Sequence, residues 1–262
     1  MKKLDRELGL FSVFSISCGA MIGSGIFVLP GLASTIGGPL IFAGYLIAGF
    51  LVIPAALSKA EMATAMPESG GTYLYLDRSL GPLAGTLSGL GTWISLLLKS
   101  AFALVGLSAY LIIFTPVSYS MANYWGAGIA LLLIISNCLG AKLSGKLQSY
   151  LVLGTLVVLF VFIGRGSISI EKAHFDQLLP HGITGLLSSV AFIFVSYAGV
   201  TKIASVAEEI EDPGNNIPWG IMLSLVTMMQ AHTGSTGRTV LVGRMGEVDH
   251  GICSLHGPGF NG

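Results

Sequence analysis

The sequence predicts an all-α polytopic membrane protein, because its composition and its long apolar stretches both lead to that fold class. Of its 262 residues, 53% are hydrophobic and only 10% are charged, whereas about 25% of the residues in a soluble domain are charged. So few charges could not cover a surface in water, and lipid must therefore surround most of the chain. Thirteen basic and thirteen acidic residues cancel, which removes any general attraction to nucleic acid.

Six apolar stretches are long enough to cross about 30 Å of hydrocarbon as helices of about 20 residues. Turn signals separate the first four of them: Gly37-Gly38-Pro39, then Pro67 with Gly70-Gly71, then Thr115-Pro116. The predicted spans lie near residues 10–36, 40–64, 84–114, 125–141, 147–164 and 183–207.

The distribution of basic residues predicts the orientation of these spans. With a cytoplasmic amino terminus, eight basic residues fall on the inner side and only Arg165 and Lys172 on the outer side. An excess of lysine and arginine in cytoplasmic loops favours this orientation and supports six spans. The eight inner residues are Lys2, Lys3, Arg6, Lys59, Arg78, Lys142, Lys146 and Lys202.

A seventh span begins but does not reach the length of a membrane helix. Pro218 suits a first helical turn after the N-cap residue Asn216, and the apolar run that follows ends at Met229. The partial helix therefore covers residues 217–229. Residues 230–262 are rich in glycine and lack apolar periodicity, so we expect a disordered, non-native-looking tail there. The abrupt change favours the hypothesis of a truncated or frame-shifted product.

The first span contains Gly23-Ser24-Gly25, and two glycines around a serine favour local unwinding of the helix. Unwound backbone inside a bilayer is tolerated only where it faces protein or a watery cavity. Its free N–H groups and the helix dipole can hold a carboxylate. A Gly19-x-x-x-Gly23 packing face is an equal alternative. A dinucleotide-binding loop is excluded, because no strand precedes these glycines.

A second interruption is predicted in the sixth span, where small polar residues and a glycine occur between Ser196 and Lys202. Two interrupted helices, each the first of its half, are the best sequence indication of a transporter site between inverted repeats. If only one of these interruptions were present, close packing of helices would be enough to explain it. Together they favour a transporter of small amino-acid-like solutes.

Lys99 is the only charged residue deep inside a predicted span. An intramembrane lysine is costly and is therefore a functional candidate, here as the carrier of a coupling proton. The alternative is a structural lysine that donates hydrogen bonds to backbone carbonyls at a helix break. The acidic group from Glu208 to Asp212 is interpreted as solvated loop charge, with an inner-gate salt bridge to Lys202 or to the basic amino terminus as its alternative.

Catalysis and metal binding find little support in the sequence. No nucleophile–base pair, phosphate loop or cluster of His, Asp and Glu lies within the spans, so we predict that the protein is not an enzyme and needs no cofactor. His250-x-x-Cys253-x-x-His256 offers only three groups in the expected tail, too few to predict a metal site. The three cysteines, Cys18, Cys138 and Cys253, do not predict a framework of disulfide bonds.

Three motifs, in the right order and spacing, resemble those of the amino acid–polyamine–organocation permeases. The first is Gly23-Ser24-Gly25-Ile26-Phe27 with Pro30-Gly31. The second lies in residues 61–81, at the second helix and inner loop, and the third in residues 208–218, after the sixth span. The resemblance covers about residues 8–229. The inner-loop motif residues are Glu61, Pro67, Gly70 and Gly71.

The resemblance implies a LeuT-like fold, in which two five-helix inverted repeats hold the substrate between unwound parts of helices one and six. This chain would contain the first repeat, the sixth helix and part of the seventh. The first broken helix would hold the carboxylate of an amino acid substrate, and the sixth would supply carbonyls to its ammonium group. The implied residues are Ile22, Gly23, Ser24 and Gly25 for the carboxylate and Ser196, Tyr197, Ala198 and Gly199 for the ammonium.

The function that the resemblance implies is secondary transport of amino acids by alternating access, as a symporter or antiporter in the plasma membrane. A proton or sodium ion would be the coupling ion. Some members carry a fifth-helix lysine where this chain has Leu153-Gly154-Thr155, which leaves Lys99 as the coupling candidate. Because most of the second repeat is missing, the truncated chain could be inactive, and a non-transporting binding or assembly subunit derived from a half-transporter is the alternative. The sequence indicates neither the oligomeric state nor the particular amino acid.

Overall fold

The computed structural model is mostly helical in the part of the chain that it describes. No β-strand occurs in that part beyond one isolated bridge between Leu8 and Ile210, so the predicted all-α fold is confirmed. The described residues are 6–68, 70–114, 119–138, 141–166 and 181–241. The α-helices are α1 (Leu10–Met21), α2 (Ser24–Phe27), α3 (Leu29–Gly37), α4 (Ile41–Ala65), α5 (Gly71–Leu80), α6 (Pro82–Phe114), α7 (Tyr119–Cys138), α8 (Ala141–Gly166), α9 (Gly182–Tyr197) and α10 (Pro213–Leu241).

Four helical segments of the described residues are long and apolar enough to cross a membrane, and they contain most of the predicted second, third, fifth and sixth spans. The first of these segments also includes α3, from the end of the predicted first span. Two shorter apolar helices, Leu10–Met21 and Tyr124–Ile135, lie in the predicted first and fourth spans. The chain is therefore an integral membrane protein. The four long segments are Leu29–Ala65, Pro82–Leu107, Gln148–Arg165 and Gly182–Ser205.

The predicted first span is divided into three helices, because the backbone leaves the helical conformation inside it. After α1, Ile22 is extended, with φ −64° and ψ 168°, and Gly23 has a φ of 98°. Glycine adopts such a positive φ at no steric cost, since it has no Cβ. The helix resumes at Ser24 as α2. The break therefore lies at Ile22-Gly23, one residue before the predicted Gly23-Ser24-Gly25.

Helix α10 packs against both α1 and α4 through small residues. A Cβ added at Gly49 of α4 would lie 2.5 Å from Cγ of Met229 in α10. Glycine at such positions lets membrane helices approach closely. In lipid the hydrophobic effect does not drive helices together, so close packing of this kind holds them in contact. By contrast, α6 and α7 expose large apolar side chains such as Leu98, which is 61% exposed, as surfaces in contact with lipid do.

The contact between α1 and α10 includes one buried pair of serines. The hydroxyl oxygens of Ser17 and Ser224 are 2.6 Å apart, and both side chains are fully buried. We expect Ser17→Ala to lower the free energy of unfolding in detergent by about 0.5–1 kcal/mol, because a hydrogen bond between helices is lost. The control is Ser34→Ala, since Ser34 is less buried and bonds only within its own helix, to the carbonyl of Gly31. Equal unfolding curves for the two variants would contradict this prediction.

Helix α10 extends beyond the predicted end of the seventh span. It continues as an α-helix to Leu241, so the disorder expected from residue 230 is wrong for residues 230–241. Ala231 and His232 are fully buried in this extension. Packing against α4 and α8 therefore stabilises a stretch whose glycines do not by themselves favour a helix. Residues 242–262, including the His250, Cys253 and His256 group, lie outside the described residues.

The amino-terminal segment joins the connection after the sixth span through the backbone. The N–H groups of Glu7 and Leu8 both donate to the carbonyl of Glu209, at 3.0 Å, and the N–H of Glu211 donates to the carbonyl of Leu8 at 3.0 Å. The structure therefore closes this end by main-chain hydrogen bonds. The alternative prediction is an inner-gate salt bridge between the acidic group Glu208 to Asp212 and Lys202. Among the described residues, no ion pair includes Lys202.

The inner-loop motif forms the connection between α4 and α5. Gly70 and Gly71 have φ angles of 147° and 54°, which residues with a Cβ adopt only with strain. These two glycines turn the chain from the end of α4 into the start of α5. Glu61 is exposed on α4, and Pro67 follows the end of that helix.

Helix α5 lies against the core and is tied to its neighbours by two polar contacts. Nζ of Lys59 in α4 donates to Oγ1 of Thr72 at 2.5 Å, and Arg78 forms a bidentate salt bridge with Glu68 at 2.7 and 3.1 Å. The salt bridge is about half exposed and is worth about 0–1 kcal/mol. Tyr75 is fully buried, and this burial raises the pKa of its hydroxyl.

Candidate functional site

The interruptions of the first and sixth spans meet in the structure. Helix α9 ends at Tyr197, and Ala198–Ser205 continue the chain as a 3-10 helix. Gly199 in this segment lies against the end of α1. A Cβ at Gly199 would fall 2.7 Å from the amide nitrogen of Met21 and still closer to the carbonyl of Ala20. No side chain fits there, so the two interrupted segments touch through their backbones.

A cavity of about 630 Å³ borders this contact. Its volume lies in the range of about 300–1,000 Å³ that is usual for small-molecule sites. At Gly23 nothing lies within 4 Å of the position that a Cβ would take, so this backbone faces open space. The cavity is lined by four of the eight predicted substrate residues: Ile22, Gly23, Ala198 and Gly199.

One face of helix α6 forms a wall of the cavity. Its residues there include Trp93, Leu96, Lys99, Ser100 and Ala103. Spacings of three and four residues place side chains on one face of a helix. The sequence analysis identified only Lys99 on α6. The other four residues follow the same spacing of three and four positions, so this spacing would have predicted them as lining residues.

Lys99 joins α6 to the break in the first span. Its Nζ donates a hydrogen bond to the carbonyl of Ala20, at 2.8 Å. In a continuous helix that carbonyl would accept from the N–H of Ser24, four residues on, but the break at Ile22-Gly23 removes this arrangement. The hydrogen bond is the one expected for a structural lysine at a helix break. Lys99 also lines the cavity, so the same ammonium group is close to any solute bound there.

Gly25, Ser196 and Tyr197 lie behind the break and are not among the residues that line the cavity. The hydroxyl of Tyr45 donates to the carbonyl of Gly25 at 2.9 Å, and the hydroxyl of Tyr197 donates to the carbonyl of Tyr45 at 3.1 Å. Oγ of Ser196 donates within its own helix, at 2.7 Å. Ser24 is the first residue of α2. The side chains of Ser196 and Tyr197 are therefore structural, whereas Ile22, Gly23, Ala198 and Gly199 border the open space.

His232 completes the buried group behind the break. Its ring stacks on that of Tyr45, with centroids 5.1 Å apart and planes at 10°, and meets Tyr197 edge-on at 5.1 Å and 70°. A Cβ at Gly25 would lie 3.2 Å from its Nε2. Sequence reasoning placed this histidine in the tail and so missed it. A signal existed, because it continues the buried face of α10 that is formed by Ile217, Ile221, Leu225 and Met228.

The inner-loop motif reaches the cavity through Gly70, which lines it together with Thr72 and Tyr73. Gly71 lies beside the 3-10 segment, since a Cβ there would be 3.3 Å from Oγ of Ser205. The motif therefore supports one end of the site. Among the described residues, no three His, Cys, Asp or Glu side chains group as metal ligands.

Comparison with known proteins gives a family match over most of the chain. The sequence profile described as "Amino acid permease" matches residues 12–241, which include both interruptions, the cavity and all of α10.

Three of the relatives bear the names of permeases or transporters. A branched-chain amino acid permease of Bacillus subtilis is 29% identical over 243 residues, covering 86% of this chain and 52% of the relative. A methylthioribose transporter of Bacillus subtilis is 29% identical over 241 residues, with 86% and 52% covered. The chloroplastic cationic amino acid transporter 9 of Arabidopsis thaliana is 27% identical over 252 residues, with 88% and 44% covered. The chain thus spans about half the length of these relatives.

Proposed function

Because this chain belongs to the amino acid permease family, we propose that it serves secondary transport of amino acids by alternating access. The observation that carries the proposal is the contact of the two interrupted helices beside a cavity of about 630 Å³. Interrupted helices that meet at a cavity are the usual place where transporters bind substrate. The names of the relatives agree with transport in general, and amino acids are the substrates that most of these names give.

Within this proposal, the break in the first span binds the substrate carboxylate. Extended Ile22 and the positive φ of Gly23 turn the backbone out of the helix beside open space, and the first N–H groups of a following helical turn lack partners within it. Ser24 and Gly25 begin that turn. Carbonyls near Ala198 and Gly199, which line the same cavity, are suited to the substrate ammonium.

Lys99 is the proposed coupling residue, because it lines the cavity and is hydrogen-bonded to the break. A change in its protonation would change the donor that holds the carbonyl of Ala20. Proton binding would then be linked to the geometry of the substrate-binding backbone. A sodium ion as the coupling ion is the competing possibility, and it would not require a lysine.

The orientation and the membrane also belong to the proposal. We place the amino terminus in the cytoplasm, because the basic residues are concentrated on that side of the predicted spans. The plasma membrane is the proposed location, since uptake of amino acids from outside requires it.

Uptake by reconstituted protein tests this function. Proteoliposomes containing the purified chain should accumulate radiolabelled amino acids above the level of protein-free liposomes, and more strongly when the outside is acidic. Lys99→Met should reduce this uptake at least about tenfold and remove its dependence on pH, because Lys99 is the lysine that is hydrogen-bonded to the broken backbone, and a lysine inside the membrane is costly unless it has a function. Ser34→Ala is the matched control and should transport normally.

Two results would contradict parts of the proposal. Unchanged, pH-dependent uptake by Lys99→Met would remove the coupling role of Lys99. Saturable binding of amino acids to the chain without accumulation would remove transport by this chain and favour the non-transporting binding subunit.

A further inference from the structure

The cavity beside the helix break is positively charged. Two of the residues that line it are lysines, Lys99 and Lys202, and none of them is an aspartate or a glutamate. The two lysines reach it from different elements, α6 and the 3-10 segment after α9. A solute in the cavity is therefore close to two ammonium groups, and no lining residue supplies a carboxylate.

Neither ammonium group is neutralised by a neighbouring carboxylate in the described part of the chain. Nζ of Lys99 bonds to the carbonyl of Ala20, which is uncharged. The salt bridge found among these residues joins Arg78 to Glu68 and does not include Lys202. Lys99 is partly buried, and a charge left without a counterion there is costly. Lys202 is exposed and adds positive charge at the edge of the cavity. A bound anion would supply the missing counterion.

We propose that this site selects solutes of net negative charge, in the first place acidic amino acids. The inference rests on the proposed function and names the substrate class of the same site. A zwitterionic amino acid gains from its carboxylate, but its ammonium group is repelled by both lysines. An acidic amino acid brings a second carboxylate, so that each lysine can face one negative group.

The other lining groups fit such a ligand. Three hydroxyls, those of Thr92 and Ser95 on α6 and of Ser205 on the 3-10 segment, line the same cavity. Ser100 and Thr201 line it too, but their hydroxyls donate to the carbonyls of Leu96 and Ala198. A hydroxyl donates one hydrogen bond, and a carboxylate accepts about four. Carboxylate oxygens can therefore be satisfied by these donors in addition to the lysines.

Fluorescence titration of the purified chain in lipid nanodiscs tests the inference. Trp93 lines the cavity, whereas Trp125 and Trp219 do not, although all three tryptophans are 62% exposed. In a Trp125→Phe/Trp219→Phe background, Trp93 alone reports binding. Titrations with glutamate, leucine, lysine and succinate compare an acidic, a neutral and a basic amino acid with a dicarboxylate that lacks an ammonium group.

Glutamate should bind at least about tenfold more tightly than leucine, and lysine should bind most weakly. Lys99→Gln should weaken glutamate about tenfold while changing leucine little, because one unit charge a few ångströms from a carboxylate is worth at least that factor in a site of reduced dielectric. Lys202→Gln should weaken glutamate by a smaller factor, about threefold, because solvent screens an exposed charge. Lys202→Arg keeps the charge and should keep most of the affinity. Arg165→Gln removes a positive charge from the end of α8, outside the cavity, and is the control. Because Lys202 is exposed, its variants should fold normally, which circular dichroism would verify.

The outcomes separate this inference from the proposed function. Leucine binding as tightly as glutamate would overturn the charge selection and leave amino acid transport intact. Succinate binding without any amino acid would support anion selection and contradict an amino acid substrate. A preference for glutamate that survives both lysine-to-glutamine changes would overturn the role of the lysines, and absence of binding by all four solutes would overturn the site itself.

Discussion

Gly199→Val should destabilise the protein by about 3 kcal/mol or more, as expected for overpacking against rigid backbone. A Cβ at this position would fall against the carbonyl of Ala20 and 2.7 Å from the amide nitrogen of Met21. Backbone atoms cannot rotate away as a side-chain tip can, so the two interrupted segments would have to separate. The apparent midpoint of thermal unfolding in detergent measures the effect. Uptake should be lost as well, because the contact that positions the cavity wall is broken.

Gly154→Ala is the matched control for this prediction. Gly154 is also a helical glycine in a predicted span, but nothing lies within 4 Å of its added Cβ. It should unfold like the unaltered chain or slightly later, since alanine favours a helix more than glycine does. If Gly199→Val unfolded at the same temperature as Gly154→Ala, the direct backbone contact between the two interruptions would be wrong.

His232→Ala should lower the free energy of unfolding by about 3 kcal/mol, the usual cost of removing a buried aromatic ring. His232 is fully buried and packs with the rings of Tyr45 and Tyr197, each 5.1 Å away between centroids. The same two tyrosines donate hydrogen bonds to the carbonyls of Gly25 and Tyr45. Loss of the ring would therefore loosen the support of the backbone behind the break, and thermal unfolding in detergent would show it.

His232→Phe is the matched variant, because it keeps an aromatic ring and removes the ring nitrogens. It should lie within about 1.5 kcal/mol of the unaltered chain if stacking is what His232 contributes. Equal destabilisation by Ala and Phe would show that the ring nitrogens matter instead. An unaltered unfolding curve for His232→Ala would mean that α10 does not pack beyond residue 230.

The break in the first span was predictable from the sequence because it has a local cause. A helix interrupted by glycines leaves a pattern in neighbouring residues, and Gly23 does adopt the positive φ that only glycine takes easily. The helical spans were predictable for a similar reason, since length and apolarity in lipid leave few alternatives. The family followed from three motifs whose order could be read directly.

The arrangement of the site could not be predicted in the same way. Whether Gly25 and Gly199 face the cavity or the core depends on which helices lie on either side of them, and Gly25 proves to lie against Ser196 and His232. The partner of Lys99 is a carbonyl 79 positions earlier in the chain. Local sequence periodicity does not predict a contact between residues that are so far apart in the chain.

The sequence by itself thus determined that this protein is a membrane protein of helices and that one of them is broken at Gly23. Composition and glycine chemistry act over a few residues, and they need no partner to be recognised. Only the tertiary structure decided that the break meets Gly199, that Lys99 and Lys202 share one cavity, and that α10 remains helical through Leu241. The physical reason is that contacts between helices distant in sequence set burial, close approach and charge, and these override the propensity of the individual segments.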